Sequence, residues 1–178
     1  FLKYWSDNYP DVVTGWNSRY FDIPYLINRL YRIGSEQAVK RLSPWNLVDT
    51  GMMEGTYKIV GIEQADYLEL FKKFGYSYGA QESYKLDHIG YTVLGEKKLS
   101  YEEHGSLHTL YKNDHQKFID YNIQDTNLVK RLDDKMGLID VQIAVAYKAG
   151  INYEDVSGVV KTWDALINRE MAAENKIP

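Results

Sequence analysis

The sequence contains no cysteine. Disulfide scaffolds and cysteine-ligated zinc sites are therefore excluded, and a reducing compartment fits. No apolar run approaches the roughly 20 residues that a membrane span needs. No basic start followed by a short apolar core marks a signal peptide. Internal repeats and low-complexity tracts are missing too. Basic charge is scarce: the net charge of -4 argues against a protein that binds nucleic acid over its whole surface. It leaves room for an enzyme that meets nucleic acid through bound metal ions. Carboxylates gathered for a metal make such a protein acidic, and the metal reverses the local field.

What is present supports a folded chain. A hydrophobic content of 44% excludes a disordered tail, and 178 residues suit one domain of ordinary size with a short appendage. The first residues, Phe1 to Asp11, read as the end of a helix and a turn into a strand. An excised piece of something longer is the expectation.

Local patterns set out the elements. Asp11 to Gly15 is a short strand signal ending in a loop. Pro24 to Ile33 follows as a helix, with Tyr25, Leu26, Leu30 and Ile33 at helical spacing and Gly34 as its end. Leu47 to Val60 reads as a hairpin turning at Gly51 and Gly55. Asp66 to Phe74 is a helix capped by Asp66 and stopped by Gly75. Ser83 to Leu94 is another, stopped by Gly95. Asn113 to Met136 is the longest helical signal, opened by Asn113 or Asp114. Ile139 to Lys148 and Val159 to Glu174 complete the chain as helices. A boundary near Gly137 or Gly150 divides residues 1–138 from a helical segment, 139–178.

Two stretches carry chemistry. On the long helix, Phe118, Tyr121, Asp125, Leu128 and Leu132 share one face. A carboxylate on a buried stripe is costly unless it is paired or binds metal. Either Asp125 marks the stripe's edge and pairs with Lys130 or Arg131, or it serves a site that Tyr121, one turn earlier, also faces. The second stretch, Thr14 to Pro24, lies where a strand hands over to a helix, and ligands collect at the carboxyl ends of strands in α/β sheets. Asp22 before Pro24 is an ordinary helix start. A capping role and a metal-binding role are compatible.

Together these stretches resemble two of the three motifs of the DEDD exonucleases, tyrosine subtype. The second motif is present as Asn17 with Phe21-Asp22, and the third as Tyr121 with Asp125. Their separation of 103 residues suits the proofreading domain of family-B DNA polymerases. The segments TGWNSRYFDIPYLINRL, RLSP, DYLELFKKF, YKLDHI, NDHQKFIDYNIQD and KTWDALI stand in the order seen in replicative polymerases of large tailed phages. The resemblance covers Asp11 to Pro178. It implies an α/β, helix-rich, ribonuclease-H-like 3′→5′ exonuclease fold, with the tail from Ile139 leading back to a polymerase's amino-terminal domain. It also implies two divalent cations, Mg²⁺ or Mn²⁺. Asp22 and Asp125 would be metal ligands and, with Tyr121, catalytic residues; Asn17 and Phe21 would contact the terminal nucleotide. The implied partners are the single-stranded 3′ end of a DNA primer, the rest of a polymerase chain and phage replisome proteins, in the cytoplasm of an infected bacterium and away from any membrane. The alternative is a catalytically dead module of the same fold that holds single-stranded DNA or scaffolds a polymerase.

One departure matters. The family's first motif is Asp-x-Glu on a strand ahead of the other two, and no Asp in this chain is followed two residues later by Glu. The chain alone is expected to hold metal weakly or not at all and to hydrolyse negligible DNA. Its fold should be truncated at the amino-terminal side of the sheet. The Asp11–Gly15 strand would then lose its sheet neighbours and favour self-association through an exposed edge.

Other features are set aside. Among the 16 tyrosines, Tyr76, Tyr78 and Tyr101 are placed in loops, while Tyr25, Tyr67, Tyr84 and Tyr147 are placed on helices and expected in core or boundary packing. His88, His104, His108 and His115 share no metal-ligand spacing. Arg41, Lys72 and Lys73 are expected to be solvated.

Overall fold

The architecture follows from a computed structural model, which describes residues 1–51, 53–95 and 106–176. Tyr101 and His104 lie outside the described residues. The chain forms two compact units, Phe1–Lys73 with Ile139–Pro178, and Phe74–Leu138.

In the first unit, helix α1 (Leu2–Asp7) leads to strand β1 (Val12–Gly15), helix α2 (Asp22–Ile33) and helix α3 (Glu36–Lys40). Helix α3 starts where the Ser35 side chain accepts the Ala38 amide. Strands β2 (Val48–Thr50) and β3 (Tyr57–Ile59) form the expected antiparallel hairpin. Its turn closes through the Gly51 amide and the Thr56 carbonyl, 2.8 Å apart. Strand β4 (Glu63–Asp66) then pairs parallel to β1, aligning Val12 with Glu63 and Gly15 with Asp66. Helix α4 (Tyr67–Phe74) follows directly. Strand β1 therefore keeps one sheet neighbour, contrary to the expectation that it would lose them. Glu63-Gln64-Ala65-Asp66 is too polar to read as a strand, yet Gln64, Ala65 and Asp66 are buried. Among the described residues no strand pairs with the other side of β1.

The core of this unit joins Ile23, Ile27 and Leu30 of α2 to Val39, Leu42, Ile59 and Ile62. At about 25 cal/mol per Å² of apolar surface, each such side chain stabilises by roughly 1.5–3 kcal/mol. The buried stripe of α2 is thus Ile23, Ile27 and Leu30; Tyr25 and Ile33 point to solvent, each 64% exposed. The unit also holds helix α8 (Leu138–Ala149), apart from its first residue, a 3-10 turn (Tyr153–Ser157) and helix α9 (Val159–Ala173). Tyr67 is fully buried as expected, whereas Tyr147 on α8 is exposed. Lys73 is half-buried rather than fully solvated: its Nζ donates to the carbonyls of Val156 and Ser157 in that turn, and burial pushes its ammonium group below the ordinary lysine range.

In the second unit, helices α5 (Leu86–Leu94), α6 (Leu107–Asn113) and α7 (His115–Met136) pack together. Helix α5 starts at Leu86 rather than Ser83, because the Ser83 hydroxyl captures the Lys85 amide and holds a local turn. This leaves Tyr84 ahead of the helix. Asp114 caps α7 by accepting the Lys117 amide at 3.0 Å. Gly137 ends α7 in the left-handed region, φ 62°, where a side chain would be strained. At the α5–α7 contact Gly90 faces Leu128, and an added Cβ would lie 2.9 Å from Leu128 Cδ2.

Candidate exonuclease site

The five residues singled out fall into two groups, one in each unit. Asn17, Phe21 and Asp22 sit together where β1 passes into α2. Tyr121 and Asp125 sit one turn apart on α7.

The first group is built on the carboxyl ends of the parallel pair. Gly15 ends β1 beside Asp66, which ends β4. The chain then turns sharply, and a Cβ on Gly15 would meet Ser18 Cβ at 3.0 Å. Trp16 packs against Tyr67 and Phe71, with ring centroids 6.4 and 6.1 Å apart. Asn17 takes a left-handed backbone, φ 63°, which asparagine tolerates better than most residues. Its amide donates to Asp66 Oδ1 (3.1 Å), and the Arg19 amide donates to Asp66 Oδ2 (3.0 Å). The Arg19 guanidinium pairs with Glu69 at 2.8 Å and also donates to the Gln64 carbonyl. The Tyr20 hydroxyl donates to Met53 Sδ at the hairpin turn.

This loop presents Phe21 outward, 67% exposed, immediately before Asp22. Asp22 occupies the first turn of α2, where the helix dipole favours negative charge. Its carboxyl is nevertheless pushed above the usual range. Desolvation by the surrounding protein is the main cause, and the Asp66 charge adds to it. The side chain still reaches solvent at the helix end.

In the second group the face read from sequence is present: Tyr121, Leu128 and Leu132 are buried, and Phe118 and Asp125 are half-buried. Lys130, one of the cations considered for Asp125, instead pairs with Asp134 at 2.6 Å. A shallow surface depression runs along α7, lined by Asp120, Ile123, Gln124, Asn127, Lys130 and Arg131. It includes neither Tyr121 nor Asp125 and does not coincide with the motif face.

Asp22 is a hard oxygen donor, partly desolvated and beside another negative charge, with no ion pair among the described residues. No cluster of three or more Asp, Glu or His side chains suited to a metal occurs among the described residues. Each group thus supplies one motif carboxylate, not a whole coordination shell.

The residue that sequence reading missed is Asp66, taken there only as a helix cap. It does accept the Leu68 amide at 3.0 Å, as a cap would. The bonds to Asn17 and Arg19 cross 49 and 47 residues of sequence, and no local pattern signals them.

A family model described as DNA polymerase family B, exonuclease domain, matches residues 1–89. The chain belongs to this family. The match contains Asn17, Phe21, Asp22 and Asp66. Beyond it, the chain is 37% identical over 183 residues to the DNA-directed DNA polymerase of Escherichia phage RB69 and 32% identical over 183 residues to that of Enterobacteria phage T4. Both alignments cover 99% of this chain, Tyr121 and Asp125 included, and 20% of the relative. The chain thus spans about a fifth of the length of these relatives.

Proposed function

We propose that this chain carries two of the three motifs of a two-metal 3′→5′ exonuclease that proofreads for a family-B DNA polymerase, on a ribonuclease-H-like fold. The observation that carries the reading is the Asn17–Asp22 loop. It leaves the carboxyl end of a parallel strand pair, within the family match, and presents a partly desolvated carboxylate beside an exposed phenyl ring.

In this reading Asn17 and Phe21 line the site of the terminal nucleotide, where an exposed ring can stack on a base. Asp22 and Asp125 are metal ligands, for Mg²⁺ or Mn²⁺. Such ions, when bound, would supply activation of the attacking water and stabilisation of the leaving 3′ oxygen. The Tyr121 hydroxyl orients the water. The substrate is the single-stranded 3′ end of a DNA primer. The remaining partners are the rest of a polymerase chain and phage replisome proteins, in the cytoplasm of the infected host. The side of β1 opposite β4 is the surface through which copies of the chain would associate. A sedimentation profile that stays monomeric at every concentration would count against that last point.

Two carboxylates hold two ions in register poorly, so the chain by itself should release negligible nucleotide from a 3′-labelled single strand in Mg²⁺ or Mn²⁺. The decisive test grafts residues 1–178 in place of the aligned segment of the RB69 phage polymerase. Asp22→Ala and Asp125→Ala should each cut exonuclease turnover in the chimera by on the order of 10³, with polymerisation retained. A chimera that degrades primer equally well with either substitution would exclude the reading.

A further inference from the structure

We propose that Asp66 is a positioning residue of the exonuclease half-site: its carboxylate fixes the backbone of the Asn17–Arg19 turn and thereby sets how Asn17, Phe21 and Asp22 are presented. The inference rests on the function assigned above to those three residues.

Asp66 is 2% exposed, so its carboxylate must be satisfied from within the protein. Three backbone amides do this. Leu68 and Asn17 donate to Oδ1, and Arg19 donates to Oδ2. A helix cap needs only the first of these bonds. The other two tie the end of β4 to the turn that follows β1.

The effect passes along the turn to the site. The Asn17 carbonyl accepts the amides of Tyr20 (3.3 Å) and Phe21 (3.1 Å), and the Ser18 carbonyl accepts that of Ile23 (2.9 Å). Phe21 and Ile23, the residues on either side of Asp22, are thus each bonded to the turn that Asp66 holds. The left-handed backbone of Asn17 lies at the root of this relay. Without the acceptor for its amide, Asn17 is free to relax towards an ordinary conformation, and the frame around Asp22 moves with it.

The residue type also fits. A carboxylate accepts at both oxygens, whereas an asparagine presents one acceptor and one donor. Asparagine at 66 can keep the bonds on one oxygen only, facing an amide group towards the N–H of the other. A glutamate keeps the charge but carries its oxygens one methylene further. Asp66→Asn and Asp66→Glu therefore separate charge from placement.

The test uses the ¹⁵N-labelled 178-residue chain, with Mn²⁺ alone as the probe and paramagnetic broadening of the Asp22 amide as the readout. In the unsubstituted chain the Asn17 and Arg19 amides should exchange with solvent as slowly as those of the β1–β4 ladder; rapid exchange there would overturn the proposal whether or not any variant folds. Both substitutions should speed exchange at Asn17 and Arg19 and raise the Mn²⁺ midpoint at Asp22 at least tenfold. If Asp66→Glu restores the midpoint while Asp66→Asn does not, Asp66 acts by charge alone and the proposal fails. If both variants lose stability but keep the midpoint, the role is merely structural and the proposal again fails. Mn²⁺ is raised until even the weak site expected of the isolated chain would fill; if Asp22 then stays unbroadened in the unsubstituted chain, the metal-ligand reading of Asp22 falls first and takes the proposal with it.

Discussion

Asn17 and Asp66, 49 residues apart in sequence, are joined by a hydrogen bond of 3.1 Å from the Asn17 amide to Oδ1. The contact closes the carboxyl end of the β1–β4 pair. Asp66→Ala would leave three amides without their acceptor, two of them in the motif loop. Removing one partner of a buried hydrogen bond costs about 1–3 kcal/mol, and bonds sharing one acceptor are not additive, so a total loss of about 2–4 kcal/mol is expected. Urea unfolding followed by circular dichroism would measure it. A loss below about 0.5 kcal/mol, the scale of a neutral surface change, would mean that water replaces the carboxylate freely.

Glu63 should make stability depend on pH. Its carboxyl is raised above the usual range, first by burial and then by the charges of Glu154 and Asp155, against opposing contributions from Arg19 and Lys58. Its Oε1 is buried without a hydrogen-bond partner. A carboxyl raised in the folded state binds its proton more tightly there than in the unfolded chain. Stability from this group is therefore highest at low pH and falls as pH rises from the ordinary glutamate value through the raised one. Glu63→Gln should remove that loss and stabilise the chain above this window. The gain should be under about 1 kcal/mol, because the group is partly exposed and solvent screens its neighbours. Thermal unfolding of both forms from about pH 4, near the ordinary carboxyl value, upward would show the difference growing with pH. A constant difference would refute the assignment.

Much of the fold was legible because its signals are local. The Asp114 cap and Gly137 stop place α7 nearly to the residue, and turn glycines place the β2–β3 hairpin. The motif residues were legible as short strings for the same reason. What escaped depends on partners far away in sequence. Strand β4 reads as polar because its burial comes from pairing with β1 and from amides reaching Asp66. Lys73 reads as a surface cation because the carbonyls that receive it belong to a turn 83 and 84 residues later. Tyr25 shows the converse. Its spacing suits a helical stripe, but Ile23 and Ile27 take the buried face and leave Tyr25 at the surface.

Gly90 and Leu128 set the approach of α5 to α7, the helix bearing Tyr121 and Asp125. Gly90→Ala would place its Cβ 2.9 Å from Leu128 Cδ2, inside ordinary contact distance. Better helix propensity favours alanine by about 1 kcal/mol, but overpacking a buried contact costs about 1–3 kcal/mol. A net loss of up to about 2 kcal/mol is expected on these terms. Leu128→Ala should lose about 2–5 kcal/mol through the cavity it leaves. In the double variant the methyl group added at position 90 faces open space, so the combined loss should be smaller than the sum. A double-mutant cycle in urea measures the coupling, and strict additivity would show that the two side chains do not compete for the same volume.

Lys73 tethers the 3-10 turn Tyr153–Ser157, which also meets β4, the strand that ends at Asp66. Burial lowers the pKa of its ammonium group, so the tether is held at a desolvation cost that its carbonyl partners offset only in part. Lys73→Met keeps the aliphatic stem and removes the donor. Two carbonyls then lose a charged hydrogen bond, worth about 1.5–3 kcal/mol each in isolation, while the desolvation cost disappears with the charge. The net effect should be a loss of about 1–2 kcal/mol. It should be local: amide exchange should quicken across Tyr153–Gly158 before it changes in α2. The lowered pKa adds a second signature. A lysine depressed in the folded state sheds its proton earlier there, so its stability contribution rises between the lowered value and the ordinary one near about 10.4. The disadvantage of Lys73→Met should therefore widen as pH climbs through that interval. A gap that narrows instead would mean that the charge of Lys73, rather than its hydrogen bonds, holds the turn.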